Sequence, residues 1–153
     1  LLETIEEVDG KVIIWCSYRH NIKKVIEALN KKFGSGSAEG FYGETPSTDR
    51  PKILKKFMDD NDSMRFLVGH PRTGGYGLTL TIAKTMIFYS NDYDLEIREQ
   101  AEARNHRIGT EKKVTYVDLV CEGTVDENIL KSLREKINIA TQIMGEEFKQ
   151  WLI

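Results

Sequence analysis

The sequence predicts an α/β fold, a parallel sheet with helices on both faces. Short β-branched or aromatic runs alternate with stretches of helical period along most of the chain. Most of these runs are apolar throughout, not at every second position, as expected of strands buried on both sides. The 153 residues suffice for one such domain with a sizeable core.

The elements follow in order. "KVIIWC" (11–16) reads as a buried strand. Residues Asn21 to Phe33 place Ile22, Val25, Ile26, Leu29 and Phe33 at helical spacing, and "GSGS" (34–37) is a loop. "AEGFYG" is a second strand ending at Gly43. Thr48 or Asp49 is expected to cap a helix running through Phe57, with Ile53, Leu54 and Phe57 inward. "DDND" (59–62) is a solvated turn, and "MRFLVG" (64–69) a third strand followed by a glycine-rich loop. "KTMIFY" (84–89) is a fourth strand, Leu95 to Arg107 a helix, and "KVTYVDLV" (113–120) a fifth strand. From about Thr124 the helical pattern runs almost to the end through Ile129, Leu130, Leu133, Ile137, Ala140, Ile143 and Met144. There is no internal repeat.

Composition narrows the function classes. Hydrophobic residues make up 40% and charged residues 30%, an ordinary globular balance. A net charge of -2 argues against a general nucleic-acid sponge but leaves room for a local basic groove. Cys16 and Cys121 sit in apolar runs without metal-ligand spacing and read as buried thiols in a reducing compartment. No segment reads as membrane-spanning and none as a signal peptide, so no membrane partner is expected. His20, His70 and His106 lack partners at metal or triad spacing and read as polar surface residues, so no metal site is expected. Asp92 and Asp94 read as helix capping, not a carboxylate pair. Trp15 reads as core, and Trp151 as covering the core or meeting a neighbouring lobe.

In parallel sheets ligands bind at the carboxyl ends of the strands. The loops after Cys16, Tyr42, Gly69 and Tyr89 are therefore the candidate functional edge. In "PRTGGYGLTLT" (71–81), glycines directly after a strand fit either a plain turn or a backbone cradle for phosphate or ribose. No GxxxxGK[ST] or GxGxxG occurs, so the usual grip on ATP phosphates is lacking. In "QAEARNHRIGT", Gln100, Arg104 and Arg107 are spaced i, i+4, i+7 and are expected on one face near a helix end. They fit either a solvated basic face that favours the helix dipole or a pair that neutralises charge on a transferring phosphoryl group.

Four blocks, taken together, resemble the C-terminal, second RecA-like lobe of Swi/Snf-type ATPases in helicase superfamily two. "KVIIWCSYRHNIKKVIEAL" resembles the strand and helix that open that lobe. "FYGETPSTDRPKILKKF" is similar to its tyrosine-x-Gly, Thr or Ser, Arg, Ile-x-x-Phe block, and "TGGYGLTLTIAKTMIFY" to its Gly-Gly-x-Gly-x-Asn-Leu motif. "QAEARNHRIGTEKKVTYVDLVCEGTVDENIL" resembles its Gln-Ala-x-x-Arg-x-x-Arg-x-Gly motif, the next strand, and the Gly-Thr-x-Glu that starts a terminal helix. The likeness runs from about residue 11 to 140. Thr79 replaces the family's Asn, "GHP" (69–71) its Leu-Ser-Thr, Thr110 its Gln, and "SNDYDLE" (90–96) its Trp-Asn-Pro.

The resemblance implies a RecA-like sheet with a long terminal brace helix over 124–152, in a single 1–153 domain that is a fragment of a longer protein. It implies the second lobe of an ATP-dependent DNA translocase. Arg104 and Arg107 would be arginine fingers, with Gln100 beside the γ-phosphate. Gly75, Gly77 and Thr79 would contact the cofactor, and Ser17, Thr45, Arg50 and Thr73 nucleic-acid phosphates. For Arg50 an internal salt bridge stays open. ATP and Mg²⁺ would be held mainly by the first RecA-like lobe of the same polypeptide. Duplex DNA would be bound without regard to sequence, and the isolated chain would be an inactive monomer. The loop variants suggest the bacterial or phage end of the family, hence a nucleoid-associated protein of the cytoplasm. The rivals are a non-catalytic RecA-like module that binds nucleic acid or protein, and a nucleotide-dependent restriction or repair subunit.

Overall fold

The computed structural model describes residues 1–73, 79–105 and 113–144. Its strands are β1 (Val12–Trp15), β2 (Ala38–Phe41), β3 (Phe66–Gly69), β4 (Thr85–Phe88) and β5 (Thr115–Asp118). Its helices are α1 (Leu2–Glu6), α2 (Arg19–Phe33), α3 (Arg50–Met58), α4 (Leu95–Ala103) and α5 (Val125–Met144). The strands form one sheet in the order β2-β3-β1-β4-β5, and every pairing is parallel.

The period-2 geometry of the strands divides the core in two. Ile13, Trp15, Leu67, Met86 and Phe88 meet Ile53 and Phe57 of α3 and Ala101 of α4. Val12, Ile14, Phe66, Val68 and Ile87 meet Ile5 of α1 and Ile22, Val25 and Leu29 of α2. β1, β3 and β4 are buried along their whole length, which explains their lack of polar alternation. The outermost β5 is only partly buried. α5 contacts α4 and buries Ile129 and Leu133.

Local chemistry sets the ends of the elements. α2 stops at Gly34, whose φ of +103° suits a residue without Cβ and whose N–H donates to the Asn30 carbonyl at 3.1 Å. α4 starts at Asp94, whose carboxylate accepts the N–H groups of Glu96 and Ile97. Asp49 is the residue before α3 but makes no side-chain cap; its carboxylate pairs with Lys52 at 3.3 Å. Pro51, in the first turn of α3, needs no N–H donor there.

Edge strand β2 is closed by side chains. Asn30 accepts from the Ala38 N–H and donates to the Ala38 carbonyl, both at 3.0 Å. The Thr45 hydroxyl donates to the Gly40 carbonyl at 2.9 Å and accepts the Tyr42 N–H at 3.1 Å. Outward-facing backbone groups that would otherwise invite another strand are thus occupied. At the opposite end of the strands, buried Lys11 donates to the carbonyls of Lys56, Asp62 and Met64. Arg65 donates to carbonyls of Val8 and Gly10 and stacks on Phe66, tying the α1 segment to the sheet.

Several expectations change. α1 was not anticipated; five residues are too few for a helical period to show. α4 ends at Ala103, not Arg107, and residues 106–112 lie outside the described residues. Cys16 is buried, and burial pushes its thiol up to about 12, but Cys121 is exposed because it begins the turn after the edge strand. Trp151 and the end of the expected brace helix lie outside the described residues, whereas α5 covers 125–144. Among the described residues no helix is long and apolar enough to cross a membrane.

Candidate functional site

The carboxyl ends of the strands bring four loops to one edge. Ser17, after β1, is tied to Ser90, after β4. Its N–H donates to the Ser90 hydroxyl at 2.9 Å and its own hydroxyl donates to the Ser90 carbonyl at 3.0 Å. Ser17 remains half-buried, with its hydroxyl proton committed to Ser90. Beneath these loops lies Gly69. An added Cβ there would meet the Phe41 carbonyl oxygen at 2.5 Å and the Trp15 ring at 2.9 Å. Glycine is needed at that position for close approach, since the Trp15 ring occupies the space.

The loop after β3 carries His70 and Arg72. His70 Nδ1 accepts the Arg72 N–H at 3.1 Å. Burial holds the His70 imidazole below its usual pKa, against a hydrogen bond to the Ser17 backbone that raises it. The ring is therefore neutral at neutral pH and serves as a spacer between the loops after β1 and β3. The Arg72 guanidinium lies 3.7 Å from Asp92 and 3.6 Å from Asp94, linking the same loop to the one after β4.

Arg104 does not project with Gln100. The helix has ended, and the side chain turns into the protein, where the residue is 7% exposed. Its guanidinium donates to the carbonyls of Pro71 at 2.9 Å and Thr73 at 3.1 Å. It also lies over the Trp15 ring, 5.3 Å from the centroid. Its own carbonyl accepts the Leu80 N–H at 2.8 Å. Burial lowers its pKa, but no guanidinium deprotonates in this range. Among the described residues no carboxylate pairs with it. The result is a buried cation held by carbonyl dipoles and a ring.

Other expected residues divide. Thr73 sits on the edge and supplies its carbonyl to Arg104. Thr79 is exposed. Gln100 is exposed and its amide donates to Glu96 at 3.0 Å, one turn back along α4. Thr45 is 9% exposed and its hydroxyl is used in closing β2, so it does not face a phosphate. Among the described residues Arg50 makes no salt bridge; it donates to the carbonyls of Thr45 and Tyr42 and stacks over Phe41. Gly75, Gly77, Arg107 and His106 lie outside the described residues. No group of three or more His, Cys, Asp or Glu among the described residues is arranged to hold a metal ion.

Sequence reasoning missed the cluster around Arg98. This guanidinium lies 3.5 Å from the Phe88 ring centroid and bonds Glu102, Asp118 and Asn91. Burial alone would lower its pKa; the hydrogen bond and charge of Asp118, with Glu102, outweigh that and raise it. Burial holds the Glu102 carboxyl above its usual range despite Arg98. Burial also pushes the Tyr116 hydroxyl up to about 12. The only sequence signal was the i, i+4 spacing of Arg98 and Glu102.

Comparison with known proteins agrees with this architecture. The family model described as "Helicase conserved C-terminal domain" matches residues 1–109. The chain is 38% identical over 108 residues to the chromatin-remodeling ATPase INO80 of Homo sapiens, a match covering 70% of this chain and 7% of that protein. It is 32% identical over 138 residues to the TATA-binding protein-associated factor MOT1 of Saccharomyces cerevisiae, covering 90% of this chain and 7% of that protein. It is 40% identical over 102 residues to Protein CHROMATIN REMODELING 19 of Arabidopsis thaliana, covering 67% and 13%. The chain thus spans a small part of the length of these relatives. Its fold matches the crystal structure of the C-terminal part of the Fun30 ATPase domain at a TM-score of 0.71 and 23% identity, over 81% of this chain and 39% of that one. The sheet is therefore RecA-like. These relatives also correct the expected bacterial or phage cytoplasm, because they are eukaryotic proteins, two of them named for chromatin remodelling. Single replacements do not mark lineage, because loops vary freely within a family. The match over residues 1–109, on a fold of the same kind, places this chain in the helicase conserved C-terminal domain family.

Proposed function

We propose that the chain is the second motor lobe of an ATP-dependent DNA translocase. The observation that supports it most is the pair of hydrogen bonds from Arg104 to Pro71 and Thr73. They bring together, at the carboxyl edge, two sequence blocks about 30 residues apart that resemble nucleotide-handling motifs. The sequence has no GxxxxGK[ST] loop, so ATP phosphates and Mg²⁺ belong mainly to the first lobe. Mg-ATP supplies the transferring phosphoryl group. From this chain, Arg107 neutralises charge that develops in the transition state, and Gln100 lies near the γ-phosphate when the lobes close. Gly75, Gly77 and Thr79 border the cofactor. Ser17 and Thr73 lie on the edge that meets the nucleic-acid backbone, where phosphate contacts carry no base readout. Thr45 and Arg50 support the fold. The partners are the first lobe and duplex DNA.

The test compares the isolated chain with the complete protein, with and without duplex DNA, across a salt series. The isolated chain is expected to be monomeric, to show negligible ATPase, and to bind duplex weakly, with binding that fades as salt rises. The complete protein is expected to show DNA-stimulated ATPase. Tight, salt-insensitive binding of the isolated chain to one sequence would replace the motor with a binding module.

A further inference from the structure

His70 is a titratable group where the resembled Leu-Ser-Thr motif has Ser, and it closes the turn 70–73 twice. The backbone closure runs from the Thr73 N–H to the His70 carbonyl at 2.9 Å, with Pro71 at the second position of the turn. The side-chain closure runs from the Arg72 N–H to His70 Nδ1 at 3.1 Å. A backbone N–H only donates, so Nδ1 presents a lone pair and the ring proton sits on Nε2. The ring also bonds the Ser17 backbone. The Ser17 N–H is already given to the Ser90 hydroxyl, so the Ser17 carbonyl is the acceptor.

A second proton therefore has one place to go, Nδ1, where it meets the Arg72 N–H donor to donor. Arg72, on the same loop, and Arg19, on α2, repel an imidazolium there, and Asp92, after β4, attracts it. Arg72 is shared with Asp94, and Arg19 with Glu44. Burial, with the two arginines, holds the ring below its usual pKa, and the Ser17 bond and Asp92 offset this only in part.

We propose that His70 is a proton-operated latch. Neutral, it closes the 70–73 turn and joins the loops after β1 and β3; protonated, it gives up the Arg72 N–H and opens the turn on that side. The latch rests on the geometry of the loops, not on the motor-lobe reading. The closed loop takes up the proton less readily than the open one. Closure is therefore full above the ordinary histidine value of 6.5 and is lost as pH falls through the lower value of the closed loop.

The test is amide hydrogen exchange of the complete protein without nucleotide or DNA, corrected for the intrinsic effect of pH, on the parent, His70→Asn and His70→Ala. Asn keeps an acceptor for the N–H two residues on and does not titrate, whereas Ala has none. In the parent, protection at the amides of Arg72 and Thr73 is expected to fall roughly threefold or more from about pH 8 to about pH 5, with β1 and β3 unchanged. His70→Asn is expected to show no such fall, and His70→Ala to lack the protection at both pH values. Parent protection that does not change with pH overturns the proposal. So does an equal fall in His70→Asn, which would assign it to Asp92 or Asp94. A loss that extends through β1 and β3 also overturns it, since the whole sheet would then be opening. None of these outcomes uses ATP or DNA, so a failed motor reading leaves the latch standing.

Discussion

Two arginines, one within α4 and one at its end, meet the sheet in opposite ways. Arg98, within α4, lies over Phe88 and is neutralised by Asp118 and Glu102. Arg104, at the end of α4, lies over Trp15 and is held by two carbonyls with no acid among the described residues. Both cations are stacked and largely buried. Arg98 locks α4 to the edge strand β5 with its charge matched. Arg104 fastens α4 to the segment after β3, with no acid paired to it among the described residues. One joint is closed by charge, the other by carbonyl dipoles and a ring.

The largest expected effect breaks the matched side. Arg98→Ala would leave Asp118 and Glu102 partly buried without their cation, at a cost of about 3 kcal/mol. Urea unfolding of the isolated chain measures it, as a lower midpoint with an unchanged slope. Asp118→Asn combined with Arg98→Ala should cost less than the sum of the two, because each removes the same joint. An additive result would mean that Arg98 and Asp118 do not act as one joint.

A smaller effect sharpens the comparison from the acid side. Glu99 borders a cleft of about 220 Å³ between α4, β5 and α5, and its Oε1 is buried without a partner among the described residues. Burial, then the charges of Glu102 and Glu96, hold its carboxyl above the usual range. The folded chain therefore binds that proton more tightly than the unfolded chain. Stability from it is full below the ordinary carboxyl pKa and is lost as pH rises through the folded value. Glu99→Gln is expected to stabilise at pH 7 by no more than about 0.5 kcal/mol, given the partial exposure, and by nothing at pH 3. Unfolding midpoints at the two pH values check it; a variant that is less stable at pH 7 would mean that Glu99 supports the Arg98 cluster.

The same contrast shows what was legible in the sequence. The strands were, because β1, β3 and β4 are continuous apolar runs that only a doubly covered sheet accommodates. The start of α4 was legible in Asp94, since capping is local. Arg104 was not. Its spacing from Gln100 implies a shared face, but Arg104 also lies three residues after buried Ala101 and follows it inward, while Gln100 is exposed. Thr45 misled in another way: a hydroxyl in a loop at a strand's carboxyl end reads as a phosphate ligand, but its partners at Gly40 and Tyr42 belong to edge closure. Arg98 and Asp118 are 20 residues apart and meet only when β5 joins β4. Local chemistry was readable; charge pairs and carbonyl ties across elements needed the folded chain.

In the proposed motor, this lobe completes a nucleotide site held mainly by another. The most direct measurement is single-turnover ATP hydrolysis by the complete protein carrying Arg107→Ala, with ATP binding measured in parallel. The account predicts hydrolysis slower by roughly 10³–10⁵-fold with ATP affinity largely retained, because a finger acts in the transition state. Near-normal hydrolysis in that variant would contradict it.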